Sequence, residues 1–386
     1  MGNHVNLFHN PQFFEHFFRF LPRTLLRWAE VHATPFTIEK QDTQELLNFW
    51  RDKKIALVKQ TAYPALFTIN QPMDWMEAVF SCPYHLGPFS FLADLGADYF
   101  IVRQASEPET FSWQDKYAYD PDPRDSVAQK LEEIRKFESL PIGSKLPSVD
   151  DIPWDSYDLV VSIDLPIPER IVKKAPRTLW AYFSIEAGGP LQKNSLVRPL
   201  AGYQLFLNHG FRRYRSRPWN KNHVLEFPLQ FQSHQAWTRI LSSVSTKNQR
   251  SLLLVDRNSW IAPPPESRLP IDQPSGDARH YLELMGSAFA CLHTTSKPRW
   301  GNWAVESVLA GAIFIGNSRS LAQIAAILPE TDSRKLADAV ALAHRLHEQP
   351  AVASQIQKLQ ASIVDYVAFS RPLNDLTAKA RQFFHE

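Results

Sequence analysis

The chain has 386 residues, 44% of them hydrophobic, and 42 Lys+Arg stand against 40 Asp+Glu for a formal net charge of +2. That length suffices for two domains of roughly 100–200 residues each. The charge balance argues against a dedicated nucleic-acid binder, which carries a strongly basic domain, and no run approaches the ~18–20 apolar residues of a membrane-spanning helix. The two cysteines, Cys82 and Cys291, lie far apart and give neither a disulfide framework nor a zinc pattern.

Taken in chain order, Met1–Asn10 is polar and no apolar run with a cleavage site follows, so a reducing cytoplasm is expected. Residues 11–32 read as two helical pieces broken near Pro22, with Phe13, Phe14, Phe17, Phe18 and Leu21 on one stripe. A basic aromatic helix of this kind can rest on a membrane surface or pack on its own domain. Glu15 and Glu30 interrupt any purely cationic face. Strands are expected at Lys54–Val58, Asp98–Val102, Asp158–Ile163, Thr178–Phe183, Gln204–Leu207 and Val224–Phe227, with an amphipathic helix at Ser126–Glu138. Residues 216–250 are otherwise polar and aromatic. A second series opens with a strand at Ser251–Val255, followed by a proline-rich loop over Ile261–Gly276. Then come a helix at Asp277–Ser287, a strand at Ala288–Leu292, a helix over 303–310 ended by Gly311, and a strand at Ala312–Ile315. Helices follow at Ser333–His347 and Val352–Tyr366; Arg371–Pro372 breaks the pattern before a last helix, Leu373–Phe384. Near-continuous apolar strands alternating with helices give parallel sheets covered on both faces, and hence two α/β domains with a boundary near 230–250. The assignment is 1–240, 241–366, and a C-terminal helix over 367–386 that can cross back to the first domain.

Ligands of such sheets bind at the carboxyl ends of the strands. In the second series those ends hold Asp256–Arg257 and His293–Thr294–Thr295–Ser296, with Lys297 and Arg299 following. Arg257, Lys297 and Arg299, together with the free N–H groups of a helix capped by Asn302, suit a pyrophosphate. Trp300 and Trp303 can stack on a base or sugar, or serve as packing. Glu306 can accept hydrogen bonds from a pair of sugar hydroxyls, or simply favour the N-terminal half of its helix. In the first series Asp164, Glu186 and His209 follow strands, and each is a candidate base for a hydroxyl acceptor. Asp120-Pro-Asp122 has a metal-binding spacing, but it sits in YDPDPRD, where turn chemistry explains it better.

On these residues, 251–320 resemble the C-terminal domain of GT-B glycosyltransferases of the group-1 and exostosin-like kind. The first half is similar more loosely, through YDLVVSID at 157–164, TLWAYFSIE at 178–186 and YQLFLNHGF at 203–211. The resemblance implies two Rossmann-like domains facing across a cleft, and transfer of a sugar from a nucleotide-sugar to a hydroxyl acceptor that is a glycan, a lipid-linked molecule or a protein. It implies no metal and no cofactor besides the donor substrate. Arg257 would reach the donor diphosphate and Glu306 the donor ribose or sugar; Asp164 would fall on the acceptor side. Three features depart from the family: Arg299 stands where many members carry a second Glu, KQTAYPAL replaces a glycine-rich acceptor loop, and the span between Arg257 and the 277–287 helix is short and proline-rich, so a reduced second sheet is expected. A non-catalytic binding or scaffold protein on the same fold, or a sugar epimerase or phosphorylase, therefore stays open beside the transferase.

Overall fold

Two all-parallel sheets form from the apolar runs of the chain. A computed structural model describes residues 42–61, 92–103, 149–163, 166–183, 202–208, 223–228, 231–244, 250–256, 259–261, 264–274, 278–295, 301–321, 327 and 330–385. In chain order the main elements are α1 (Thr43–Arg51), β1 (Ile55–Thr61), β2 (Asp98–Arg103), β3 (Leu159–Ile163), α2 (Glu169–Val172), β4 (Leu179–Phe183), β5 (Leu205–Asn208), β6 (Val224–Glu226) and α3 (His234–Ser242). They continue with β7 (Leu252–Val255), β8 (Ile271–Asp272), α4 (Ala278–Ser287), β9 (Ala288–His293), α5 (Asn302–Leu309), β10 (Ile313–Gly316), α6 (Leu336–Glu348), α7 (Pro350–Asp365) and α8 (Arg371–Phe384). The chain divides into two compact units. One takes in Gln41–Ser243, Gly276–Arg279 and Ala368–Glu386, and the other Val244–Ser275 and His280–Val367. Each is a parallel α/β unit, the Rossmann-like organisation expected from the alternation of strands and helices.

The first unit holds a sheet in the order β2-β1-β3-β4-β5-β6. Its central strands lack polar–apolar alternation because both faces are covered: Ala56, Val58, Val160, Trp180 and Tyr182 are buried, and so are Ile55, Leu57, Leu159, Val161 and Phe183, which alternate with them. One face packs on rings, with Trp154 against Trp180 at 6.0 Å and Trp180 against Tyr203 at 5.9 Å between centroids. The polar ends of these aromatics are satisfied. Trp154 Nε1 donates to the Val149 carbonyl at 2.6 Å, and the Tyr203 hydroxyl accepts from the Ile167 N–H at 2.7 Å. Helix α8 belongs to this unit, where the buried Trp50 indole of α1 donates to Thr377 Oγ1 at 2.8 Å and Phe369, just before α8, lies 5.5 Å from Phe231.

The second unit holds a sheet in the order β10-β9-β7-β8. Leu253, Val255, Ala290, Leu292, Ile313 and Ile315 form one face and pack with α6 and the start of α7. Leu254, Cys291 and Phe314 lie on the other, where Cys291 Sγ is 3.5 Å from Met285 of α4 and Phe314 is 6.1 Å from the Trp303 ring of α5. From β7 the chain steps to β8 on one side and then returns to β9 on the other, so the strand order reverses between β7 and β9. The carboxyl ends of those two strands form a topological switch point.

The structure departs from the sequence reading at several places. Ile271–Asp272 forms a strand inside the proline-rich loop; Pro270 lacks an N–H but its carbonyl still accepts from Leu253 at 2.8 Å, which suffices at a sheet edge. Residues 234–242, read as irregular, are a helix whose Ser233 Oγ caps the Ala236 N–H at 3.2 Å. Helix α1, passed over in sequence, is capped by Asp42 Oδ1, which accepts from Gln44 and Glu45. Arg371–Pro372 does not interrupt the helix: a π-helical turn, Tyr366–Ser370, joins α7 to α8, and Pro372 sits in the first turn of α8. Residues 11–32, Ser126–Glu138 and Asp120–Asp122 lie outside the described residues. Among the described residues no helix is long and apolar enough to cross a membrane.

Gln360 of α7, fully buried, does for β10 what a neighbouring strand would do. Its Oε1 accepts from the Phe314 N–H at 2.9 Å and its Nε2 donates to the Phe314 carbonyl at 2.8 Å and to Thr331 Oγ1 at 3.1 Å. Replacing the amide leaves a buried N–H and C=O unpaired, at about 1–3 kcal/mol for each group. Gln360→Met is expected to lower unfolding free energy by about 2–4 kcal/mol in urea denaturation; a loss below about 0.5 kcal/mol would show that the strand edge finds another partner.

Candidate functional site

The switch point of the second sheet gathers polar groups that its own packing does not satisfy. Asp256 follows β7 and His293 ends β9, because consecutive parallel strands deliver their last residues to the same rim. His293 is only 4% exposed. Its Nδ1 lies 3.1 Å from Asp256 Oδ2, at contact distance but without the alignment of a hydrogen bond, and Nε2 has no hydrogen-bond partner. Beneath this pair the chain is pinned. Ser259 Oγ accepts from the backbone N–H groups of Thr294 and Thr295 at 2.8 and 3.2 Å, and the Asn317 N–H donates to the His293 carbonyl at 2.9 Å.

Helix α5 begins beside the same strand end. Its cap is Gly301, at φ 104°, a left-handed conformation that glycine adopts without strain. Asn302, expected as the cap of a helix starting at Trp303, is instead the first helical residue, and no side chain caps this end. The first N–H groups of α5 are thereby left without a capping side chain. Two further buried atoms at this end have no hydrogen-bond partner: Asn302 Oδ1 and Trp303 Nε1. The Trp303 ring stands 6.3 Å from His293 between centroids. Buried polar atoms are nearly always paired, so a cluster of four orphaned atoms on His293, Asn302 and Trp303 sets this end of the sheet apart. The set mixes a donor-only indole, an acceptor carbonyl and an imidazole that can do either.

Glu306 occupies the second turn of α5 and is 8% exposed, flanked by fully buried Val305 and Ser307. Its Oε2 accepts a hydrogen bond from the Tyr281 hydroxyl of α4. Burial pushes the Glu306 carboxyl up to about 7, and the Tyr281 hydrogen bond opposes that rise. The Tyr281 hydroxyl is held well above its ordinary value by burial and by the neighbouring carboxylate. The Cys291 thiol, buried beside them, is pushed up to about 12 and stays protonated. Gly311 ends the helix as expected, at φ 82°, and a Cβ there would meet Arg250 Nη1 at 2.7 Å.

Three of the residues singled out from sequence, Asn302, Trp303 and Glu306, are therefore placed on one helix end. Arg257, Lys297, Arg299 and Trp300 lie outside the described residues, as do Asp164, Glu186 and His209. Sequence reasoning noted Asp256 and His293 as strand ends without giving them a role. It missed Tyr281 entirely, since an aromatic on an amphipathic helix reads as core. Among the described residues no group of three or more His, Cys, Asp and Glu side chains is placed to hold a metal ion.

No protein-family model matches the chain, and no curated protein matches it. Solved structures similar to it include Anabaena Alr3699/HepE in complex with UDP-glucose, at 11% identity and a TM-score of 0.41, covering 86% of this chain and 99% of that one. A glycosyltransferase from Rickettsia africae ESF-5 is similar at 8% identity and a TM-score of 0.43, over 86% of this chain and 98% of that one. T4 phage BGT in complex with UDP and Mn2+ is similar at 10% and 0.42, over 86% and 100%. Likeness this loose assigns neither a substrate nor a role to any residue.

The raised carboxyl has a consequence for stability. A group whose folded-state value lies above its unfolded value, here about 7 against 4.5, favours the folded chain most at low pH, and that contribution is lost as pH rises through about 7. Glu306→Gln keeps an acceptor for Tyr281 and removes the ionisation. Its stability is expected to match the wild type near pH 5 and to exceed it by about 2 kcal/mol at pH 8.5. Parallel urea curves at the two pH values check this; an unchanged difference between them would mean that Glu306 titrates as an exposed carboxyl does.

Proposed function

We propose that the protein is a glycosyltransferase that moves a sugar from a nucleotide-sugar to a hydroxyl acceptor without a bound metal. The observation that favours this reading most is the cluster of unpartnered buried polar atoms on His293, Asn302 and Trp303, set at the switch point of a parallel sheet beside an uncapped helix N-terminus. A helix start of this kind attracts phosphate through its free N–H groups and its dipole. The sequence resemblance over residues 251–320 supports the same assignment.

In this reading the donor diphosphate lies at the start of α5. The backbone at Gly301 allows close approach, the Trp303 indole and His293 donate to phosphate oxygens, and Asn302 Oδ1 accepts from a donor hydroxyl. Arg257, Lys297 and Arg299 neutralise the charge that grows on the diphosphate as it departs, which takes the place of a divalent cation. Glu306 orients the donor ribose or sugar. An acceptor-side group, Asp164, Glu186 or His209, takes the proton of the acceptor hydroxyl. The acceptor oxygen bonds to the anomeric carbon, and the bond from that carbon to the phosphate oxygen breaks with its electron pair leaving on the nucleoside diphosphate. The acceptor is a glycan, a lipid-linked molecule or a protein, and the donor is the one cofactor-like molecule required. Residues 11–32 are available for contact with a membrane surface.

Calorimetric titration with UDP, GDP, ADP and CDP tests the reading. At least one is expected to bind with a dissociation constant below 1 mM, on the order of 4 kcal/mol or more. His293→Ala and Arg257→Ala are each expected to weaken that binding about tenfold or more, the loss of one charged or polar phosphate contact. Absence of binding by all four diphosphates at millimolar concentration would sink the transferase assignment and favour a scaffold role. Unchanged affinity in His293→Ala would move the nucleotide away from this switch point.

A further inference from the structure

We propose that Tyr281 of α4 is a positioning residue for the donor: through its hydrogen bond it fixes the Glu306 carboxylate and favours the ionised form that holds the donor. The inference rests on the reading of Glu306 as the carboxylate that holds the donor.

The geometry behind it is rigid on both sides. Helix α4 runs directly into β9, and its Leu282 and Met285, one and four residues after Tyr281, are fully buried, so the helix cannot rotate about its axis. Glu306 sits between Val305 and Ser307, both fully buried on α5. The phenol therefore meets the carboxylate in one arrangement. An ionised carboxylate accepts hydrogen bonds from two vicinal hydroxyls, whereas a protonated one spends one oxygen as a donor. Donor recognition by Glu306 accordingly favours the ionised form. Burial works against that form, and the Tyr281 hydrogen bond works for it.

The other titratable and charged groups around the pair do not compete for this role. On β9, Cys291 is neutral across the working range, and His293 contacts Asp256 of the β7 end. Arg250, before β7, packs over Gly311 and couples to Cys291. Asp256 also acts on Tyr281, in the sense that keeps the phenol protonated. On α4, His280 and Glu283 lie 3.9 Å from each other. Strand β10 has no titratable side chain, and α7 turns Lys358 and Asp365 to solvent.

Sign and size follow. In the wild type, donor affinity falls as pH drops through about 7, where Glu306 takes up its proton. Tyr281→Phe keeps the ring and removes the bond that lowers the carboxyl, so the inflection moves to higher pH by about half a unit to one unit. Affinity near pH 7 should drop about two- to fivefold while affinity at pH 9 changes little. The experiment is calorimetry with UDP-glucose, GDP-mannose and the corresponding diphosphates at pH 6.0, 7.0, 8.0 and 9.0. It is run on the wild type, Tyr281→Phe and Glu306→Gln, the last expected to bind with no inflection in this range. A side chain that merely fills space would weaken binding equally at every pH. Binding with an inflection that stays put in Tyr281→Phe, or that persists in Glu306→Gln, overturns the proposal. If Tyr281→Phe does not fold, an inflection that persists in Glu306→Gln still overturns the proposal. A wild type that binds none of these molecules at any pH overturns the transferase reading itself, a different result from binding without the expected shift.

Discussion

Adjacency of β7 and β9 is the constraint from which the candidate site is built. Their pairing runs Leu253 against Ala290 and Val255 against Leu292. The chain leaves them for opposite sides of the sheet, and the last residues of both strands reach the same rim. Asp256 and His293 meet there because the register puts them there, and Ser259 holds the loop after β9 by its backbone. Had β8 been inserted between the two, the imidazole and the carboxylate would stand roughly 10 Å apart, two strand spacings.

The helix after β9 adds a second constraint. Gly301 lets the chain turn sharply enough to start α5 at the rim, and Gly311 ends the helix after little more than two turns. Between these glycines nearly every residue is buried. A single carboxylate in such a segment cannot be left to solvent, so it either finds a buried donor or stays protonated. Glu306 does part of each: Tyr281 donates to it, and its titration moves toward neutrality. A buried carboxyl poised near physiological pH is a feature of functional sites more often than of structural ones.

Much of the fold was legible because buried parallel strands announce themselves as unbroken apolar runs. Leu159–Ile163 and Leu179–Phe183 fall within a residue of their expected bounds. Ile271–Asp272 was hidden, since an edge strand of two residues framed by prolines has no period to read. Helix α3 was hidden by polar residues on its outer face; its apolar side, Ala236, Trp237 and Ile240, is short. At the site, Asn302, Trp303 and Glu306 could be found because a carboxylate and two polar or aromatic groups at a helix start are unusual in an apolar stretch. His293 and Tyr281 owe their significance to what is missing or present around single atoms, an unpaired ring nitrogen and a phenol aimed at a carboxylate. No spacing in the chain encodes either.

The amide of Gln360 carries one more implication. Strand β10 is an apolar edge of its sheet, with Ile313, Phe314 and Ile315 in succession. Such an edge is the place where a second chain can add itself. A glutamine fixed from behind by α7 occupies both backbone groups of Phe314, so the ribbon ends in a side chain rather than in an open ladder. The protection travels with α7. A chain cut short before that helix would leave both backbone groups of Phe314 open on an apolar, adhesive border, besides losing the packing of Ala353 and Ile356 on the sheet.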